Sequence, residues 1–223
     1  MKLVNIEYGI DINLIENKIY ELVIENRSVF SDIVSILLNQ VNGMEGKFVL
    51  SDTKSLKIEK SVDILIDYYS LSINNKKIIN RLYSNLEKIT ENFIEEKSLI
   101  NSKLVNVLDY ITTSLGCSEV IYNMDFNWID IFKIYDMKFD ESYDNLLDKL
   151  ISYIKIISEF TDIKIIFFVN LKSYLDINDL NNLYDMMIYY KIIPIMLEPT
   201  EGVAIGKKMR YIIDNDRCFI DLN

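Results

Sequence analysis

Lysines at positions 54, 57 and 60 recur every third residue in the stretch Lys54-Ser55-Leu56-Lys57-Ile58-Glu59-Lys60. On a helical or 3₁₀ turn that spacing brings three ammonium groups to one side, where they either meet a row of phosphates or form a solvated face diluted by Glu59. A second set is acidic. Glu119, Asp125, Asp130 and Asp136 stand among aromatic residues between Cys117 and Phe139, and hard cations such as calcium take oxygens gathered from several segments. No D-x-D-x-D-G loop holds an ion locally, so these acids read either as a metal site or as solvated carboxylates. A third set, Lys207-Lys208-Met209-Arg210, reads as a second phosphate contact or a solvated helix face, with the helix face preferred.

Other chemistry is excluded by composition. The chain has no histidine, which removes the commonest general base, the commonest transition-metal ligand and every Ser-His or Cys-His nucleophile pair. Cys117 and Cys218 form no C-x-x-C pair and read as reduced core residues. A net charge of −10 and a pI near 4.6 argue on average against nucleic acid, whose binding rests on local lysine and arginine. Only the distribution of charge decides that question. No apolar run approaches the ~18 residues of a membrane span, and the start lacks the apolar core of a signal peptide. The expectation is a cytoplasmic protein with no membrane partner.

The elements that must position these groups read as α/β. Ile163 to Asn170 is an apolar, β-branched run expected of a strand buried on both faces. Leu180, Leu183, Tyr184, Met187 and Ile188 then make one face of a helix, and Ile192 to Leu197 re-enters the sheet parallel to the first strand. Pro194 fits an edge or a strand start best. Upstream, Leu3–Tyr8, Ile10–Ile15 and Ile19–Ile24 read as a small antiparallel arrangement leading into a central strand. A helix capped at Ser28 follows, with Val29, Phe30, Ile33, Val34, Leu37 and Leu38 on one face. A nucleotide-binding protein would place its phosphate loop between that strand and helix. Glu25 to Ser28 hold no glycine and no lysine followed by Ser or Thr, and Asn170 is unsuited as an ionised magnesium ligand, so no nucleotide is expected. Lys47 to Ser51 is a further short strand.

From Ser61 the pattern turns helical, with Val62, Ile64, Leu65, Tyr68 and Tyr69 inward. Leu82, Leu86, Ile89, Phe93, Ile100, Leu104, Val107, Leu108 and Ile111 then step by three, four or seven as a coiled-coil-like seam. Unbroken from Lys77 to Ser114, that helix would run roughly 55 Å. It reads as a projection inserted into the α/β domain, returning through Trp128, Phe132 and Tyr135 to a helix from Leu146 to Ile157.

At this point the chain resembles a known family. Tyr20-Glu21-Leu22-Val23-Ile24-Glu25-Asn26-Arg27-Ser28-Val29-Phe30, Ile165 to Leu175 and Met196-Leu197-Glu198-Pro199 are similar to the small CRISPR-associated adaptation protein of type II-A systems, the Csn family. The likeness runs over nearly the whole length. It implies a degenerate P-loop-hydrolase-like head with a mostly parallel sheet, residues 1–62 and 150–223, and an inserted α-helical leg, residues 63–149. It further implies a non-catalytic homotetrameric ring that holds double-stranded DNA at its ends without reading sequence. Calcium would hold the ring in shape, and its work in spacer acquisition would be shared with other Cas adaptation proteins and the effector nuclease. By position the resemblance carries DNA contact to Lys54, Lys57, Lys60 and Arg27, and calcium to Glu119, Asp125 and Asp130. An acidic exterior and a basic bore coexist in such a ring, because affinity follows phosphates neutralised locally. Two alternatives stand beside it: a P-loop-type nucleotide hydrolase with an altered site, and a helical oligomeric scaffold without DNA contact.

Overall fold

Alternation of apolar and polar residues at the start of the chain closes a small sheet of its own. In the computed structural model, which describes residues 1–116, 119–202 and 208–223, β1 (Lys2–Asn5) turns through Gly9 into β2 (Ile10–Asn13). The central strand β3 (Ile19–Ile24) leads into α1 (Arg27–Val41), and β4 (Val49–Ser51) and β5 (Ser55–Leu56) then complete the small antiparallel sheet in the order β2-β1-β4-β5. A short helical turn, α2 (Ile58–Ser61), passes the chain to β6 (Val62–Leu65). Helices α3 (Lys76–Thr90), α4 (Ile94–Ser114), α5 (Trp128–Ile134) and α6 (Leu146–Phe160) follow. Strand β7 (Ile165–Val169), a 3₁₀ turn (Leu171–Ser173), α7 (Ile177–Tyr189), β8 (Ile193–Glu198), β9 (Lys208–Ile213) and β10 (Phe219–Asp221) end the chain.

The large sheet has the order β10-β9-β3-β8-β7-β6, with β10 antiparallel on β9 and every other pairing parallel. Its inner strands β3, β8 and β7 are buried and, apart from Glu21 and Glu198, apolar, as expected where both faces are covered. On one face Leu22, Ile24, Phe167 and Ile195 meet Val29, Ile33 and Leu37 of α1 and Leu3, Ile12 and Leu50 of the small sheet. Residues that alternate with these point to the opposite face, where the Tyr153 hydroxyl of α6 donates to Asp63 and the Lys208 ammonium of β9 donates to Tyr184 of α7.

Pro194 lies in the middle of this sheet without costing a bond. The N–H of Ile193 donates to Lys164 on the β7 side, so the next position faces β3, whose pairing with β8 begins one residue later at Tyr20 and Ile195. The missing donor falls below the ladder, as for a proline at a strand start.

Four expectations change. Val62–Leu65 is strand β6 and not the start of a helix, since so short an apolar run carries no distinguishing period. The long helix is broken between Thr90 and Ile94, where Thr90 Oγ1 donates to Glu87 O at 2.6 Å and Asn92 Nδ2 to Ile89 O at 3.3 Å, side chains competing for backbone acceptors. Lys208 and Arg210 belong to strand β9, not to a helix face, and Lys207 lies outside the described residues. Cys218 is exposed in the turn between β9 and β10, not in a core, and Cys117 lies outside the described residues.

The chain divides into two compact units, Met1–Ile73 with Glu141–Asn223, and Asn74–Asp140. The first holds both sheets. In the second, Tyr83 of α3 meets Phe132 of α5 with ring centroids 5.8 Å apart, while none of the 21 residues of α4 is buried by the described chain. Among the described residues no helix is long and apolar enough to cross a membrane.

Ile195 is fully buried between β3 and β7. Ile195→Ala is expected to lower the unfolding free energy by about 2–5 kcal/mol, measured by urea denaturation, because the rigid strands around it cannot collapse into the cavity.

Candidate nucleic-acid interface

The end of β3 carries the chain to Asn26, whose extended backbone and side chain stop the strand and start α1. Its Oδ1 accepts from the N–H groups of Ser28 at 3.1 Å and Val29 at 3.2 Å, taking the amides that a bound phosphate would use. Its Nδ2 donates to Asn215 O at 3.1 Å, and Asn215 Nδ2 donates to Glu25 Oε2 at 3.1 Å. The turn after β9 is thereby tied to this end of the sheet. Asn170, in left-handed conformation with φ 57°, accepts from Ser173 Oγ at 2.9 Å and donates its N–H to Leu197 O at 2.8 Å. Asn26 and Asn170 are thus both engaged within the protein. Arg27 is the exposed first residue of α1, and no acid accompanies it in the first turn, so positive charge accumulates at a helix end that is already positive.

Lys54, Lys57 and Lys60 are all exposed, but they are not one helical row. Lys54 stands in the turn between β4 and β5, its carbonyl accepting from Asp52 N at 2.9 Å. Lys57 caps α2, and its carbonyl accepts from Lys60 N and Ser61 N at 3.1 Å each. The spacing of three is therefore divided between a hairpin turn and a helical turn. Lys57 Nζ lies 3.8 Å from Glu59 Oε1, an exposed pair of little energetic weight.

The acids of the second unit are dispersed. Asp125 pairs with Lys97 at 3.0 Å and Asp130 with Lys133 at 3.3 Å; Glu119 is exposed. Among the described residues no three Asp, Glu, Cys or His side chains gather as a metal site would require. Calcium needs six to eight oxygens about it, and among the described residues Asp125 and Asp130 face ammonium groups instead of each other.

A charged cluster that the linear sequence does not reveal lies on the α7 face of the large sheet. Glu21, in the middle of β3, is 0% exposed. Its Oε2 accepts from Arg210 of β9, at 2.9 Å from Nε and 2.8 Å from the terminal nitrogen, while its Oε1 accepts from Lys172 Nζ. Glu198 at the end of β8 accepts from the Lys172 N–H at 3.3 Å. Lys208 Nζ donates to Tyr184 Oη at 3.1 Å and lies over that ring. Burial, reinforced by the like charges of Lys172 and Arg210, pushes the Lys208 ammonium down to about 8. Burial likewise raises the Glu198 carboxyl above its ordinary value and lowers Lys172. With both oxygens of Glu21 engaged, the cluster ties β3, β9 and the 3₁₀ turn together. The visible signal was a lone acid inside Ile19-Tyr20-Glu21-Leu22-Val23-Ile24.

Comparison with known proteins agrees with this architecture. The family model described as CRISPR-associated protein (Cas_Csn2) matches residues 40–217, a span that includes the three lysines but not Arg27. The CRISPR-associated protein Csn2 of Streptococcus agalactiae is 22% identical over 205 residues, covering 91% of this chain and 90% of that protein. The crystal structure of Stu0660 of Streptococcus thermophilus covers 100% of this chain and 76% of its own, with a TM-score of 0.63 and 12% identity. That likeness bears on the fold.

Folded Lys208 releases its proton near pH 8, whereas the unfolded chain holds it to 10.5. Unfolding therefore takes up a proton between those values, and stability at this position rises with pH across the window. Urea midpoints taken from about pH 7.5 to about 9.5 are expected to show the unmodified protein gaining on Lys208→Met. Parallel profiles would count against a buried, proton-poor lysine.

Proposed function

The chain belongs to the CRISPR-associated Csn2 family, and from that premise we propose that it is a non-catalytic, ring-forming protein that holds double-stranded DNA without reading its sequence. Family membership implies a role in CRISPR adaptation. The reading of ring and DNA rests on the exposed lysines 54, 57 and 60, concentrated in one short segment of a chain whose net charge is −10. Cations grouped in that way contact phosphates, which position a protein on a duplex and carry no base information. Arg27, at the start of α1, supplies a further positive group. Lys54, Lys57 and Lys60 lie in a hairpin turn and a short helical turn, not along a helix or ribbon of the kind that enters a major groove.

Assembly accounts for α4. Ile100, Leu104, Val107 and Ile111 repeat along it at coiled-coil spacing and are 41–56% exposed, so a second copy of the chain is the natural cover for the stripe. A homotetramer follows the resemblance, and the same ring resolves the charge conflict by collecting lysines from several copies around one opening. Calcium, in this reading, draws its oxygens from more than one subunit. The engagement of Asn26 and Asn170 within the protein supports a head derived from a P-loop hydrolase that has lost its nucleotide site. Other Cas adaptation proteins and the effector nuclease are its expected partners in the cytoplasm, with linear duplex ends as the point of loading.

The combined variant Lys54→Glu, Lys57→Glu, Lys60→Glu is expected to lose binding to a linear duplex in a low-salt gel shift while eluting at the unmodified volume. Each single lysine-to-alanine change is expected to reduce the slope of log affinity against log salt by about 1. An unchanged shift for the triple variant would defeat the assignment.

A further inference from the structure

Two hollows in the second unit have no part in the reading above. One, of 730 Å³, lies where the end of α3 meets the start of α4; Phe93, Phe126 and Trp128 line it together with the acids Glu87, Glu91 and Asp125. The other, of 510 Å³, lies between α3 and α5, is lined by Ile79, Tyr83 and Ile129, and shares Glu87 with the first. Sharing Glu87, the two adjoin as one groove whose volumes exceed what a single small cation needs.

Its walls are built for positive charge. Phe126 meets Trp128 edge to face at 5.2 Å, and Trp128 stacks on Phe132 at 6.3 Å, so the rings hold one another in place while Phe126 and Trp128 line the hollow. Lys97 of the chain itself sits over the Phe126 ring, 5.4 Å from its centroid, with Asp125 at 3.0 Å. One ammonium is therefore already bound as a visiting one would be, by a ring and a carboxylate. Lys97 is committed to Asp125, and the carboxylates of Glu87 and Glu91 make no ion pair with any described residue. Lys133, which lines the second hollow, faces Asp130 at 3.3 Å, so Glu87 and Glu91 leave the groove an excess of negative charge beside apolar and aromatic surface.

We propose that this groove binds an arginine-bearing segment of a partner protein, with the guanidinium against Trp128 and facing Glu87 and Glu91, and the neighbouring apolar side chains in the hollow beside Ile79 and Ile129. Arginine suits it better than lysine, because a planar, weakly hydrated cation stacks on an indole and bonds carboxylates at the same time. The same carboxylates repel a phosphate chain, so nucleic acid is not the occupant. The site is independent of the lysines assigned to DNA, and loss of duplex binding in their variants leaves it untouched.

Trp128 is the only tryptophan in the chain, so its emission reports on the groove in the intact protein. A capped, tryptophan-free hexapeptide of alternating leucine and arginine is expected to shift that emission saturably. Its leucine–glutamine counterpart is expected to need about tenfold more peptide for the same shift. The exposed pair Glu87→Gln and Glu91→Gln, combined, is expected to raise the midpoint for the arginine peptide by about tenfold with an unchanged circular dichroism spectrum. Equal midpoints for the two peptides, equal midpoints for the unmodified and variant proteins, or no shift at all would overturn the proposal. An emission that moves with protein concentration alone would also overturn it, and would assign the groove to a second copy of this chain.

Discussion

Glu21 is the group around which the first unit is arranged. A carboxylate without exposure is tolerated only when its charge is matched and its oxygens are bonded, and here Arg210 and Lys172 do both. Arg210 can do so only from the position beside Glu21 on β9, which is where the parallel register places it. Lys172 can do so only because the turn after β7 brings it across β8. The strand order β9-β3-β8-β7 is thus written into one ionic contact. The connection from Glu198 to Lys208 is shorter than the roughly dozen residues of an ordinary parallel crossover, and half-buried Lys208 and Arg210 suit a face without a full covering layer.

The two units contrast in how they satisfy their apolar residues. The first covers its inner strands β3, β8 and β7 on both faces. In the second, α3 and α5 pack through Tyr83 and Phe132, whereas α4 leaves its apolar stripe in water. Stripes of that kind carry roughly 25 cal/mol for each Å² removed from solvent, a driving force toward association. Association also changes what the charges mean. In the ring proposed above, an acidic chain and a local potential of the opposite sign at Lys54, Lys57 and Lys60 would be compatible.

Legibility followed the range of the interactions. The unit β7-α7-β8 was readable because strands covered on both faces are apolar without alternation and the intervening helix repeats at three and four. β6 was not, since four residues carry no period. The break after Thr90 depends on Thr90 and Asn92 bonding backward to the helix, a local effect that the long seam conceals. Glu21 and its partners are separated by 151 and 189 residues, a distance over which no spacing rule operates, and Lys208 and Arg210 consequently passed for a solvated helix face. Lys54, Lys57 and Lys60 were readable as exposed cations but not as a group split between two turns, because the boundary between β5 and α2 is set by pairing with β4.

Sedimentation velocity of the purified chain is the most direct measurement of whether copies close around a basic opening. One species at four times the 26.2 kDa mass of the chain is expected, persisting on dilution. A 26.2 kDa species at every concentration would contradict the ring and with it the role given to the exposed stripe of α4.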